Sequence, residues 1–174
     1  MAKLEVEDVE SRIQDTAHAI HSAGTIDEIL LELQQPILQL FDSKLITIYA
    51  VDEIRNEIYS KVKSGNQINE IRVPISEASI SGCVAMIKKP ANIGDVYNPE
   101  EFKSIHPGLK FDSSWDKKTG LRTKSMLVYP LLQGEDLMGV MQLVNKNHGD
   151  RFSDFDERNA QTIAHTLALA FFNQ

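Results

Sequence analysis

The chain has 174 residues, 42% of them hydrophobic, and a formal net charge of −7, enough for one α/β or α+β domain burying about 70% of the surface its unfolded form exposes. Its Lys and Arg residues are scattered among acids and form no basic stripe for nucleic acid or an anionic bilayer, so neither partner is expected. A lone cysteine, Cys83, excludes an internal disulfide or a thiolate metal cluster, and an acidic N-terminus with no apolar run near ~20 residues argues against a signal peptide or membrane span, so a cytoplasmic domain is expected.

Val6, Val9, Ile13, Ala17 and Ile20 recur at helical steps and predict a first helix ending at Gly24, a candidate left-handed cap. Thr25 and Glu28 read as a capping box for a second helix, whose apolar face runs through Ile29, Leu30, Leu33, Ile37 and Phe41 and which Pro36 should kink. From Lys44 the period becomes two. Runs at 44–52, 57–62 and 70–75 predict an antiparallel meander, broken at Arg55-Asn56 and Gly65-Asn66. A short helix over 80–88 stops before Pro90, and a brief strand at 91–93 follows. Runs at 125–132 and 137–145 form a last hairpin around Gly134. Ser153 caps the final helix, with Asp154, Asp156 and Glu157 in its positive first turn and a stripe of Ala160, Ile163, Ala164, Leu167 and Phe171.

The segment 94–124 is long for a connection inside a compact domain, and its one clear regular piece is a helix opened by Asn98 and Pro99. It carries the only tryptophan, Trp115, with Tyr97, Phe102, Leu109 and Phe111. Such residues want burial, which predicts a folded flap over one sheet face. The flap either walls a ligand pocket or merely completes the core.

The run Thr119-Gly120-Leu121-Arg122-Thr123, then Gly139 to Lys146, and the spacing Asn145, Lys146, Phe152, Asp156, Glu157 resemble a GAF domain of the cyclic-nucleotide phosphodiesterase and cyclase type. The stretch 70–145 also resembles GAF domains attached to bacterial type II secretion and type IV pilus assembly ATPases. The resemblance implies a non-catalytic regulatory sensor that binds a small molecule and signals to an attached output domain. It implies a six-stranded antiparallel sheet with the terminal helices on one face and the flap and short helices on the other. In binding members the cyclic-nucleotide phosphate lies at positions matching Ile80 and Ser81, and further contacts match Thr47, Asp116, Thr119, Thr123 and Gln142. Where the family has an aromatic lid and an adjacent aspartate, this chain has Lys63 and Ser64. That substitution predicts a weak cyclic-nucleotide response and a place for a more acidic ligand. Asp112, beside Asp116 in the flap, joins the candidate ligand-binding set.

Single residues also have plainer readings. Lys146 and Asp156 can form an ion pair clasping a strand end to a helix start, and Phe152 can be a packing residue. Cys83 on an apolar helix face reads as a small buried hydrophobe. His18, His21, His106, His148 and His165 have no partner at metal-ligand spacing, and no phosphate loop is present. No catalytic residue, metal or cofactor is therefore expected. The whole of 1–174 reads as one domain, with 1–24 a dimerisation or linker helix and 94–124 the pocket flap. The apolar stripes of the terminal helices predict a homodimer; a ligand-free structural or homodimerisation module is the alternative to the sensor.

Overall fold

The computed structural model describes the backbone of residues 3–174 and the side chains from residue 8 onward. Helix α1 (Lys3–Ser22) places Ile13 and Ile20 in the core, with Val9 partly buried beside them. Val6 of the expected seam lies outside the residues whose side chains are described. Gly24 is not left-handed, contrary to expectation. Glu28 reaches back to accept its N–H at 2.7 Å, and Thr25 Oγ1 accepts the Glu28 N–H at 3.1 Å, so side chains satisfy the turn without a left-handed residue.

The second helix is built of three pieces: α2 (Ile26–Glu28), a π-helical stretch (Ile29–Leu33) and α3 (Gln34–Leu38). Pro36 has no N–H to donate and its ring crowds the carbonyl four residues back. The turn before it has π spacing, so the kink expected at Pro36 is found as a change of helix type within the second helix.

The sheet strands are β1 (Ser43–Asp52), β2 (Glu57–Ser64) and β3 (Gln67–Pro74). Helix α4 (Ile80–Ile87) and strand β4 (Ala91–Ile93) follow. The flap contains a 3-10 turn (Pro99–Phe102) and a helix the sequence reading missed, α5 (Ser114–Thr119), closed by left-handed Gly120. Strands β5 (Met126–Gln133) and β6 (Asp136–Lys146) lead to α6 (Asp154–Phe172). The six strands lie in the order β3-β2-β1-β6-β5-β4, every neighbouring pair antiparallel.

Strand alternation separates two cores. Leu127, Leu143 and Ile48 face α1, the second helix and α6, whereas Val128, Val140 and Ile58 face α4 and the flap. The stripe of α6 expected to serve a dimer lies against the chain's own sheet: Ile163 and Leu167 are 0% exposed and Phe171 5%. The apolar residues α6 leaves outward are Phe155, Leu169 and Phe172. The flap buries Phe102 and Leu109, but Trp115 is 48% and Tyr97 39% exposed, so the expectation of a wholly buried aromatic set is corrected.

Candidate functional site

A cavity of about 510 Å³ lies between the flap and the α4-side face of the sheet, within the range of small-molecule sites. The β1–β6 register sets Thr47 opposite Gln142, so both side chains leave the same face, and Tyr49 follows two residues along β1. These residues form the polar floor. Ile71 and Val73 of β3 make one wall, Phe111, Trp115 and Leu121 of the flap make the roof, and Ile80 and Ser81 stand at one end.

That end is the N-terminus of α4. Ser79 Oγ accepts the Gly82 N–H at 3.0 Å and the Ser79 carbonyl accepts the Cys83 N–H at 2.9 Å. Among the described residues, the Ile80 and Ser81 N–H groups have no acceptor. Unpaired N–H groups at the positive end of a helix favour an anionic or electron-rich group.

Burial pushes the Tyr49 phenol up to about 12, against the opposing effect of hydrogen bonding to Ser81 and Thr47. The floor therefore stays neutral and hydrogen-bonding across the physiological range. Gln142 is half-buried, and its amide has no hydrogen-bond partner among the described residues, which leaves one donor and one acceptor face turned to the cavity.

The carboxylates at the site are Asp112 and Asp116. Burial disfavours charge on Asp116, but Thr123 donates its hydroxyl at 2.6 Å and its N–H at 2.8 Å, and Tyr97 donates its hydroxyl at 2.6 Å, which together with nearby Arg122 hold the carboxyl below its usual value. The Ser114 hydroxyl and N–H hold Asp112 low as well. Arg122 stacks 4.4 Å above the Tyr97 ring, and Tyr97 meets Phe111 edge-on at 5.1 Å. Asp116 and Thr123 thus staple the flap into shape while lining the cavity. The Thr119 hydroxyl donates to the Trp115 carbonyl at 2.8 Å, inside α5.

Eight of the nine candidate ligand-binding residues come together on this cavity: Thr47, Ile80, Ser81, Asp112, Asp116, Thr119, Thr123 and Gln142. Lys63 does not, and the expectation built on it is corrected. Its Nζ lies 3.2 Å from Glu32 on the helical side of the sheet, because β2 presents Tyr59, Lys61 and Lys63 to that face. Arg72 of β3, paired with Tyr59 and 5.3 Å over its ring, takes the same face as Lys63, and its guanidinium is held by Asp52, Glu57 and Glu70 at 2.9, 3.1 and 2.6 Å. Nothing at Lys63 neutralises an acidic ligand.

The motif residues sit behind the flap. Asn145 is left-handed, φ 63°, and its side chain accepts the Lys124 N–H at 2.7 Å and donates to the Arg122 carbonyl at 3.1 Å, pinning the flap's end to β6. Lys146 Nζ lies 2.6 Å from Asp156, which also accepts the Ser153 N–H at 2.8 Å as half of a capping box. Phe152 is 2% exposed in the core, and the Glu157 N–H donates to the Ser153 carbonyl at 3.0 Å.

Sequence reasoning missed two contributors. Tyr49 was recoverable from its i, i+2 spacing to Thr47 on one strand. Tyr97 was not, since its partner Asp116 lies 19 residues away in an irregular segment. Cys83 is 0% exposed, and burial, aided by Glu77, pushes its thiol up.

Residues 25–171 match the family model of the GAF domain. Over 169 residues the chain is 29% identical to a probable 3',5'-cyclic phosphodiesterase of Caenorhabditis elegans, covering 90% of this chain and 22% of that protein. The chain spans between 6% and 22% of the length of the curated relatives it matches. Among solved structures, the GAF domain of a phosphoenolpyruvate-protein phosphotransferase from Coxiella burnetii superposes with a TM-score of 0.70 at 16% identity, covering 95% of this chain and 93% of that one. Free methionine-R-sulfoxide reductase from Neisseria meningitidis, in complex with its substrate, also gives a TM-score of 0.70, at 17% identity and 99% and 93% coverage. Both share the fold.

Proposed function

Because the chain belongs to the GAF domain family, whose members are regulatory small-molecule-binding sensor domains, we propose that its cavity takes a mostly apolar heterocycle carrying one anionic or electron-rich group. The observation that carries this reading is the polar floor of Thr47, Tyr49 and Gln142 facing the two unpaired N–H groups of Ile80 and Ser81, in a chamber otherwise walled by Ile71, Val73, Phe111, Trp115 and Leu121 and by the flap's Asp112, Asp116, Thr119 and Thr123. A single negative charge suits α4's N-terminus, while Asp112 and Asp116 would repel a polyanion or accept ring N–H donors. A cyclic nucleotide meets that description, with Phe111, Trp115 and Leu121 of the flap rather than residue 63 as the apolar cover for its base. Occupancy would pass to an attached output domain through the terminal helices, and a homodimer along them would use their outward residues, such as Leu169 and Phe172.

GAF domains are in general non-catalytic, though some proteins of this fold are enzymes. Cys83, buried in α4, is not on the cavity wall, so the domain is expected to show no sulfoxide reduction. The function is tested by thermal shift with cyclic AMP, cyclic GMP and a metabolite library, with Trp115 fluorescence as a second readout from the cavity roof. A ligand at ~100 times its Kd adds about 2.7 kcal/mol and raises Tm by several degrees. Gln142→Ala should weaken that response. No stabilisation and no fluorescence change by any compound would remove the sensor reading and leave the structural module.

A further inference from the structure

Strands β1 and β2 pair only at Ala50↔Tyr59, Val51↔Ile58 and Asp52↔Glu57, although β1 runs back to Ser43 and β2 on to Ser64. Continuing the same register would bring Tyr49 opposite Ser60 and then Ile48 opposite Lys61. The place of that rung is taken by a side chain from another element. Gln34 Oε1 accepts the Ile48 N–H at 2.7 Å, while its Nε2 donates to the Leu30 carbonyl at 2.7 Å, the Ser60 hydroxyl at 3.2 Å and the Lys61 carbonyl at 3.4 Å. The amide is buried, and a buried amide is costly unless paired on both sides. Here it satisfies groups on both strands and on its own helix.

We propose that Gln34 is a wedge that holds β1 apart from the β2–β3 hairpin and so sets the width of the cavity. Strand β3 pairs with β2 along its whole length, so it travels with β2. Thr47 and Tyr49 flank Ile48 on one side of the wedge, and Ile71, paired with Ser60, stands on the other. The cavity therefore straddles the gap that Gln34 keeps open. Gln34 also directly follows the π-helical stretch, a turn with an α-helical alternative one residue out of step. Two arrangements result: amide inserted, turn π, cavity wide; or amide withdrawn, turn α, Ile48 and Lys61 laddered, cavity narrow. An occupant that draws the hairpin toward β1 favours the second, which links the cavity to the helical face.

This inference rests on the cavity being the binding site, yet its test needs no ligand, so a failed ligand screen and a failed wedge are distinguishable. The full chain is compared by NMR as wild type, Gln34→Ala and the volume-conserving Gln34→Met, with acrylamide quenching of Trp115 as a measure of cavity width. In both variants cross-strand contacts between Ile48 and Lys61 should appear, the π pattern over 29–33 should be lost, and Trp115 quenching should fall. If the variants fold with Ile48 unpaired, the π turn intact and quenching unchanged, the wedge is overturned. Should neither variant fold, wild-type relaxation dispersion decides: residues 29–34, 47–49 and 71–73 must share one exchange process, and separate or absent exchange overturns the proposal.

Discussion

Lys146, at the end of β6, and Asp156, in the first turn of α6, form an ion pair of 2.6 Å in which the side chains are only 12% and 7% exposed. Asp156 also receives the Ser153 N–H, and Lys146 reaches Asp42 at 3.4 Å. Removing one member of a largely buried pair strands the other, at about 3–5 kcal/mol. Asp156→Ala should approach that loss because the cap goes with it. Lys146→Met should lose less, since Asp156 keeps its Ser153 donors. Urea denaturation of both variants measures the difference, and equal losses would contradict the double role of Asp156.

Asn145 combines a left-handed backbone with two side-chain hydrogen bonds. Asn145→Gly keeps the backbone at ease and drops the bonds, whereas Asn145→Ala loses both. The glycine variant should lose about 1–3 kcal/mol, and alanine a further ~1–2 kcal/mol of left-handed strain. Equilibrium unfolding of the pair separates the two effects. Both should also loosen the flap, seen as increased Trp115 quenching.

Gly82 has no room for a side chain. A Cβ there would collide with the Pro74 carbonyl and approach the Ser79 hydroxyl and the Ser76 carbonyl at 2.8 and 2.9 Å. Since most of this is backbone, α4 itself must shift. Gly82→Ala is expected to cost roughly 1–3 kcal/mol and to displace the Ile80 and Ser81 N–H groups, abolishing any ligand-induced rise in Tm while the fold persists by circular dichroism.

Asp116 has a folded-state pKa below its ordinary value. A depressed carboxyl contributes stability that is fully present above the unfolded value, about 3.9, and is lost as pH falls through the folded value. Flap order, read by Trp115 fluorescence, should therefore be steady above about pH 5 and decline under acid. Asp116→Asn should lower stability at neutral pH and flatten that acid limb. A variant whose acid limb matches wild type would show that Tyr97 and Thr123 do not depend on the carboxylate's charge.

Local pattern was enough for much of this molecule. The period of two along 44–52, 57–62 and 70–75 assigned strands, because a strand's side chains take alternate faces, and Ser153 and Thr25 announced their helices through the N–H groups they satisfy. Where a residue's place depended on chain far away, sequence was silent. Lys63 turned toward Glu32 rather than the cavity, and β1 parted from β2 at a buried glutamine thirteen residues before Thr47. Both follow from which strands pair and where pairing stops. Trp115 looked like a core residue by hydrophobicity, yet it forms a half-exposed roof, because the flap's shape comes from Asp116 gathering Tyr97 and Thr123. Periodicity records which side of its own element a residue takes. Only the packed structure decides what stands opposite, since that depends on contacts between segments no short window contains.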